Sequence, residues 1–310
     1  MILVTGASGF VGKELVQELI KRNEQVRVLS RAPGFFDDLN VEEVLISDIT
    51  TDIFLDAFKD VKVVFHLAAR AHIMKDYSNG SINLYRHVNV MGTKNVATQA
   101  RNCGVKRFIF LSSIKVNGEF TLPGHFFNAE DIPMPSDSYS TSKLEAEVFL
   151  ENLCNDSSMS FVIVRPPLVY GPKAKGNLKE LIKLININIP LPFGLLDRTY
   201  RSVVGLKNLT DFLIVCSKHP KAINQIFLVK DKVDLSIKEL TNKLACYLKK
   251  DIYFLYLPIF VLKFLFVILG KTHLTNRLLS NLRIDIKKNE DLLGWTPKYS
   301  FLDCMDFIPS

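Results

Sequence analysis

Cysteine pairs, metal-ligand clusters and long basic stretches are all missing from this chain. Its five cysteines lie far apart and form no Cys-x-x-Cys pair or Cys/His cluster, so the sequence suggests neither a zinc site nor a disulfide framework. The 39 lysine and arginine residues exceed the 32 aspartate and glutamate residues. They are scattered, which argues against nucleic-acid binding and leaves attraction to anionic ligands or membrane surfaces open. Unpaired cysteines fit a reducing cytoplasm best.

Internal repeats, low-complexity tracts and a basic leader are also absent. The opening Met1-Ile2-Leu3-Val4 is typical of a buried strand, so we expect no signal peptide. One unusually apolar segment, residues 252–269, is close to the minimum length of a membrane span, but it contains Pro258 and Lys263. The internal charge favours a helix packed on the protein, or a peripheral membrane contact, over a spanning helix.

Strands and helices alternate through the first two thirds of the 310 residues. Apolar runs predict strands at 2–4, 26–29, 44–46, 61–67, 107–112 and 161–165, and helical spacing predicts helices at 13–21, 88–102 and 139–152. This alternation predicts an α/β fold, a Rossmann-type doubly wound parallel sheet. Proline and glycine become frequent from Pro166, so we expect a dinucleotide-binding domain over 1–165 and a smaller C-terminal substrate-binding lobe over 166–310, interleaved with it.

A glycine-rich turn follows the first predicted strand and opens the first predicted helix. It reads Gly6-Ala-Ser-Gly9-Phe10-Val11-Gly12. Glycines let the backbone turn tightly and approach a pyrophosphate, and the helix N-terminus offers free N–H groups. The placement predicts a dinucleotide site.

The residues after the second predicted strand bear on the choice of dinucleotide. NAD-binding sites usually place an acidic residue there, whereas this chain has Ser30 and Arg31. Arg31 could bind a 2′-phosphate, which favours NADP(H) and leaves NAD(H) possible; alternatively it stacks on adenine or points into solvent. Asp48 and Ile49 follow the third strand, where they could meet the adenine ring, although Asp48 could also simply form a turn.

Tyr139 and Lys143 form the most informative pair in the chain. Residues four apart lie on one face of a helix. We expect the Lys143 cation to lower the phenol pKa of Tyr139 from ~10, so that the phenol could exchange protons near neutral pH.

Taken together these motifs resemble those of the extended short-chain dehydrogenase/reductases, which include nucleotide-sugar epimerases, dehydratases and reductases. The resemblance runs almost end to end and rests on the following segments: Thr5-Gly-Ala-Ser-Gly-Phe-Val-Gly12, His66-Leu-Ala-Ala69, Asn89-Val-Met-Gly-Thr93, Ser112-Ser113, Tyr139-x-x-x-Lys143, Arg165-Pro-Pro and Leu293-Gly-Trp-Thr-Pro297.

The resemblance implies a role for each matching residue. Ser113 would hold the reacting sugar oxygen, Tyr139 would be the acid/base, and Lys143 would also hold the nicotinamide ribose. The residues expected to line or approach the cofactor are Leu67, Ala68, Ala69 and Asn89, and those expected to grip the nucleotide diphosphate are Asn177 and Arg201. Arg201 could instead be a solvated basic residue.

Two departures narrow the reaction. Ile114 and Lys115 stand where the dehydratases carry an acidic pair, which argues against dehydration. Leu168 replaces a common asparagine, which alters part of the sugar pocket. The stretch 112–119 is similar to that of reductases of UDP-4-keto-6-deoxy-N-acetylhexosamines in bacterial surface polysaccharide (O-antigen) biosynthesis.

The resemblance leaves three functions open. The first is reduction of the C4 ketone of a UDP-2-acetamido-2,6-dideoxy-4-hexulose, and the second is UDP-hexose or UDP-N-acetylhexosamine 4-epimerisation with tightly bound NAD. The third is a cofactor-bound scaffold without activity, against which the retained Tyr139 and Lys143 argue. The resemblance also implies a homodimer built on the helices around Val88 and Tyr139.

Overall fold

A twisted parallel sheet forms the centre of the molecule. The computed structural model describes residues 1–36, 40–71, 81–174, 176–268 and 279–306. The strands are β1 Ile2–Thr5, β2 Val26–Ser30, β3 Val41–Leu45, β4 Val63–His66, β5 Arg107–Leu111, β6 Ser160–Arg165, β7 Leu168–Tyr170, β8 Tyr200–Arg201, β9 Val203–Gly205, β10 Gln225–Leu228 and β11 Leu235–Ser236.

The order of the central strands is β10-β6-β5-β4-β1-β2-β3, and every pair is parallel. The chain moves outward in one direction from β1 to β3 and in the other from β4 to β6. The topological switch point therefore lies between β1 and β4, where Thr5 and His66 are paired in register. This topology confirms the predicted Rossmann-type doubly wound fold.

Helices cover the sheet and build the second lobe. They are α1 Phe10–Lys21, α2 Ser81–Tyr85, α3 Gly92–Asn102, α4 Ser138–Asn155, α5 Asn177–Asn186, α6 Leu206–Lys218, α7 Ile237–Tyr247, α8 Ile259–Ile268, α9 Lys287–Leu293 and α10 Phe301–Met305. A π-helical turn, Arg86–Met91, joins α2 to α3. Single 3-10 turns span Leu55–Phe58, Ile114–Val116 and Pro220–Ala222.

Each face of the sheet has its own apolar core because successive side chains of a strand point to opposite faces. On β1, Val4 belongs to the core shared with α1 and α6, whereas its neighbour Leu3 belongs to the core shared with α3 and α4. Burial on both faces explains why the central strands are continuous apolar runs. A third core fills the second lobe, and Phe10 of the glycine turn packs against it.

The edge strand β3 differs from its prediction. It begins at Val41, three residues before the predicted start, and includes Glu42 and Glu43. A strand at the sheet edge is only half covered, so it tolerates polar residues that hide it from a search for apolar runs. Here Glu42 accepts a hydrogen bond from Arg27 of β2 at 2.8 Å.

Later parts of the chain return to the layers of the first 165 residues. The strand β10 pairs with β6, and α6 packs against α1, where Arg22 donates to Asp211 at 3.0 Å. Asp211 also accepts from the indole N–H of Trp295 at 2.8 Å, which anchors the segment after α9. A domain boundary at 165/166 stays a prediction.

The apolar segment 252–269 contains α8, and Leu269 lies outside the described residues. Among the helices that the structure describes, none combines the length and the hydropathy needed to cross a bilayer.

Candidate functional site

The glycine turn lies against the segment that follows β4. Gly6 adopts a positive φ of 70°, and a Cβ atom there would come within 2.5 Å of the backbone nitrogen of Ala68. A Cβ atom on Gly12 would approach the carbonyl oxygen of Gly6 to 2.2 Å. Only glycine fits both positions. The turn therefore lies directly against Leu67 and Ala68, two of the predicted cofactor residues, and Ala69 follows them in the chain.

The first turn of α1 is open to an anion. Its N-cap is Gly9, so no side chain caps the helix, and the first turn contains no acidic residue. The first N–H groups of a helix have no partner within the helix and lie at the positive end of its dipole. Phe10 and Val11 begin the helix. Phe10 packs against the core of the second lobe, and Val11 packs against the core that α1 shares with α6. These features fit the diphosphate of a dinucleotide.

Arg31 and Asp48 lie near each other at the ends of β2 and β3. Arg31 is exposed, and its charge is one of the influences that lower the pKa of Asp48. The strongest influence is Thr50, whose backbone N–H and hydroxyl both donate to Asp48 Oδ1 at 2.8 Å. Asp48 therefore forms a turn, and its expected contact with the adenine ring stays a prediction. Ile49 packs against the α3 side of the sheet.

A buried network of hydrogen bonds around His66 lies at the switch point. Sequence reasoning assigned no role to this network. His66 Nδ1 accepts from the Thr5 hydroxyl at 2.8 Å, and its Nε2 lies 3.0 Å from the hydroxyl of Thr93. Because the Thr93 hydroxyl donates to the carbonyl of Asn89 at 2.7 Å, we assign the imidazole proton to Nε2. Burial, helped by the charge of Lys143, lowers the pKa of His66 to about 3, so the ring is neutral.

Asn89 ties the π-helical turn to α4 and to the segment after β4. Its side-chain oxygen accepts from the backbone N–H of Arg70 at 2.8 Å, and its Nδ2 donates to the Ser142 hydroxyl at 2.9 Å. Ser142 donates in turn to the carbonyl of Tyr139 at 2.7 Å. Asn89 is 1% exposed. Its interactions within the chain indicate that it positions the start of α4.

Tyr139 and Ser113 come together as expected. Their side chains share a hydrogen bond, which by itself lowers the phenol pKa, and the ring of Tyr85 meets Tyr139 edge-on with centroids 6.0 Å apart. Burial is the larger influence, and the Asp137 carboxylate adds to it, so the pKa of Tyr139 is raised above its ordinary value. The predicted lowering of this pKa is therefore wrong for this arrangement.

Lys143 explains why that prediction fails. Its side chain is 1% exposed, and its Nζ lies 4.2 Å from the centre of the Phe110 ring. Burial disfavours the charged form and lowers the pKa of Lys143 to about 7, against a smaller opposing influence of Glu147. At neutral pH the amine is only partly charged, so its electrostatic help to a neighbouring phenolate is limited.

Lys115 forms an ion pair at the start of α4. Its Nζ bonds Asp137 closely and lies 3.8 Å from Glu119. Asp137 also caps α4 by accepting from the backbone N–H of Ser140 at 2.7 Å, and together these partners hold its pKa below the ordinary value. The pair joins the turn after Ser113 to the helix of Tyr139.

The two residues predicted to hold the diphosphate lie in the second lobe. Asn177 is the first residue of α5, and its side chain is outside what the structure describes. Arg201 lies on β8, and its guanidinium donates to the carbonyl of Ser280 at 3.1 Å. Part of its hydrogen-bonding capacity is therefore directed to the chain itself.

Comparison with known proteins identifies the class. Residues 2–192 match the model of the NAD dependent epimerase/dehydratase family. The chain belongs to this family and is an enzyme of it, which agrees with the resemblance drawn from the motifs.

Individual relatives are similar over most of their length. A UDP-glucose 4-epimerase of Vibrio cholerae is 46% identical over 297 residues, which cover 96% of this chain and 90% of that protein. An N-acetyl-alpha-D-glucosaminyl-diphospho-ditrans,octacis-undecaprenol 4-epimerase of Escherichia coli O157:H7 is 30% identical, over 83% of this chain and 75% of the relative. The crystal structure of a UDP-glucose 4-epimerase from Thermotoga maritima with UDP-glucose superposes with a TM-score of 0.77. That structure is 22% identical and covers 97% of this chain and 94% of its own, so it shows the shared fold.

Proposed function

We propose that this enzyme is a 4-epimerase of a UDP-hexose or UDP-N-acetylhexosamine that retains NAD between turnovers. The observation that carries the proposal is the hydrogen-bonded Ser113–Tyr139 pair, which stands at the same edge of the sheet as the glycine turn. This pair suits proton transfer at a carbinol oxygen. The relative from Vibrio cholerae, whose name specifies 4-epimerisation, supports this reaction over the reductase.

The proton transfer assigns a task to each side chain. Tyr139 takes the proton from O4 of the sugar and returns it when the ketone is reduced, while the Ser113 hydroxyl holds the same oxygen. Charge develops on that oxygen in the transition state, so both groups act mainly there. NAD held by the glycine turn would supply the hydride acceptor for C4. Because the sugar must present both faces in turn, the pocket must let it rotate.

Lys143 and the hydrogen-bond network around His66 support Tyr139 indirectly. The amine of Lys143 is buried at the edge of the sheet where Tyr139 lies. It lies beside the Phe110 ring and near the neutral His66. We assign Lys143 to the nicotinamide ribose and to modulation of the Tyr139 phenol. Asn89 and Ser142 position the backbone of Tyr139.

The neighbourhood of Ser113 disfavours elimination of water. A dehydratase needs an acid and a base at the two residues after this serine. Here Ile114 is buried and apolar, and Lys115 is held by Asp137. A reaction confined to C4 and its oxygen fits these side chains better.

A 4-ketosugar reductase is the second candidate, and the end of β2 favours it. The exposed Arg31 stands where an acidic residue would hold the ribose of NAD, which suits the 2′-phosphate of NADPH. The substrate would be a UDP-2-acetamido-2,6-dideoxy-4-hexulose. Tyr139 would then protonate O4 once, and the cofactor would leave oxidised.

Nucleotide retention separates the two candidates. Purified enzyme is denatured, and the released nucleotide is identified by chromatography, while untreated enzyme is mixed with UDP-glucose and UDP-GlcNAc without added cofactor. Released NAD and an NMR-detected C4 epimer would support the epimerase. Consumption of added NADPH by the 4-ketosugar, with no epimer formed from either UDP-hexose, would contradict it. An undecaprenyl-diphosphate-linked N-acetylhexosamine is the next substrate, given the name of the Escherichia coli relative.

Arg31 gives a second test of the cofactor. We expect Arg31→Ala to weaken NADPH binding by ~10-fold or more and to change NADH binding little, because the 2′-phosphate loses its cation. Arg31→Lys serves as the matched control, since it keeps the charge. Equal weakening of both cofactors in a fluorescence titration would mean that Arg31 does not distinguish them.

A homodimer is also proposed, through the face formed by α2, the π-helical turn and α4. Leu84, Met91 and Val148 are large apolar side chains exposed by 46–48% on these elements. Light scattering of Val148→Asp would test this interface, and an unchanged dimer mass would contradict it.

A further inference from the structure

The helix α8 presents an apolar face to the outside of the second lobe. Phe260, Phe264, Val267 and Ile268 lie on one side of the helix and are exposed by 60–73%. Leu262, on the opposite side, is 1% exposed and anchors the helix in the core of the lobe. One side therefore holds α8 in place while the other leaves four large apolar groups uncovered.

The chain before α8 extends this surface. Tyr253, Leu255, Tyr256 and Ile259 are exposed by 43–64%. Together with Phe260, Phe264, Val267 and Ile268 they are called the α8 face below.

The neighbouring strand-like segment holds the extension in place. The backbone N–H of Leu191 donates to the carbonyl of Tyr253 at 2.8 Å, and that of Leu255 donates to the carbonyl of Leu191 at 2.8 Å. A Cβ atom on Gly194 would come within 2.9 Å of the Tyr256 ring. The Tyr256 ring thus lies against the lobe at Gly194, and backbone hydrogen bonds hold Tyr253 and Leu255.

The charges around the α8 face are mainly positive. Residues 252–268 contain no aspartate or glutamate, and Lys263 is exposed among the apolar groups. Lys249 and Lys250 are exposed just before the face and outnumber Asp251. The amine of Lys238 lies 5.2 Å from the Tyr256 ring.

We propose that the α8 face docks on the surface of an anionic lipid bilayer, with α8 lying along the surface. Phenylalanine and aliphatic groups would enter the boundary of the acyl chains, tyrosines would lie at the headgroups, and the lysines would meet lipid phosphates. The net charge of +7 adds a general attraction to such a surface. This docking is independent of the reaction that the enzyme performs.

Charge decides between a bilayer and a second copy of the chain. A two-fold contact through this face would place the lysines of one copy near those of the other. Residues 252–268 offer no carboxylate to pair with them. Anionic phospholipids supply that charge, so the bilayer is the better match.

The test measures sedimentation of the purified full chain with vesicles. Wild-type protein is mixed with phosphatidylglycerol/phosphatidylethanolamine vesicles and, separately, with phosphatidylcholine vesicles. We expect it to sediment with the anionic vesicles, and Phe260→Asp/Phe264→Asp to reduce the bound fraction at least ~10-fold. The control Ile53→Asp/Ile132→Asp makes the same change at two side chains exposed by 81% and 84% elsewhere, and should bind like the wild type.

Three results would overturn the proposal. The wild type could remain in the supernatant with anionic vesicles, the α8 variant could sediment as well as the wild type, or both double variants could lose binding equally. A wild-type oligomer that dissociates in the α8 variant, without any vesicle binding, would assign the face to a second copy. Circular dichroism checks folding, and Lys249→Glu/Lys250→Glu provides an independent variant that should also weaken binding.

Discussion

Tyr139 is placed where its proton is difficult to remove. Burial and the Asp137 carboxylate raise its pKa, whereas the hydrogen bond with Ser113 opposes them. As a phenol it is ready to donate a proton. To accept one, as epimerisation requires, it needs a positive charge nearby, and Lys143 is only partly charged at neutral pH.

Removal of the phenol oxygen tests this role. We expect Tyr139→Phe to reduce turnover by ~100-fold or more, because the proton at O4 then has no acceptor or donor. Cofactor affinity should change little, since the ring remains packed against Tyr85. Steady-state kinetics and a cofactor titration measure the two effects, and near-normal turnover would remove Tyr139 from the reaction.

Lys143 makes stability depend on pH. Its pKa is about 7 in the folded protein and ~10.4 in an unfolded chain, so the unfolded state binds the proton more strongly. The folded state therefore loses stability as the pH falls from ~10.4 towards 7, and the loss is complete below that range.

We expect Lys143→Met to abolish turnover yet to stabilise the fold by on the order of 4 kcal/mol at pH 7. The gain should shrink as the pH rises towards ~10.4, where the wild-type amine is neutral in both states. Urea unfolding at several pH values measures it, with exposed Lys59→Met as the control. A gain that is independent of pH would show that packing, rather than the amine's charge, is responsible.

At the scale of single elements, the glycine turn needs a residue without a side chain at Gly6, because the backbone of Ala68 lies directly against it. Gly6 and Gly104 share a positive φ, of 70° and 78°, but only Gly6 has backbone in the way of a side chain. A side chain at Gly104 would only strain the backbone, because of the positive φ. A side chain at Gly6 would have to displace Ala68 as well.

We expect Gly6→Ala to destabilise the protein by ~1–3 kcal/mol more than Gly104→Ala, which is the cost of displacing packed atoms. It should also weaken the binding of the dinucleotide, because the turn and the start of α1 would separate from the segment after β4. Denaturant unfolding and cofactor titration of both variants measure these effects. Equal behaviour of the two variants would contradict the close approach.

Sequence reasoning succeeded for elements with strong local patterns. The central strands β1, β2, β5 and β6 are buried apolar runs and lie where they were predicted, within a residue or two. The edge strand β3 was partly missed because half-covered strands carry glutamates. The strand β10 was missed because it has only four residues, and its partner β6 is some 60 residues away in the chain.

At the scale of the whole molecule, the C-terminal half completes the N-terminal half. The helix α6 covers α1, and β10 covers the edge of β6. The core shared by these elements includes Leu15 and Leu19 of α1 with Leu209 and Phe212 of α6. Without residues 206–228, this apolar surface would face water.

We therefore expect a fragment of residues 1–165 not to fold by itself, whereas a fragment of residues 1–228 should recover helical content and a cooperative transition. The reason is that only the longer fragment contains α6 and β10. Circular dichroism and urea unfolding compare the two. A sharp transition in the shorter fragment would show that the first 165 residues form an independent domain.

The chain's local patterns by themselves determined the Rossmann-type fold and the glycine turn, because each depends on short stretches of neighbouring residues. They also predicted Tyr139 and Lys143 as site residues, and the family resemblance added Ser113. Tertiary structure alone decided how those groups behave. The depressed pKa of Lys143, the raised pKa of Tyr139 and the neutral His66 all result from burial by residues distant in the chain. The exposure of the α8 face is of the same kind, since an apolar run does not reveal which of its sides the rest of the protein covers.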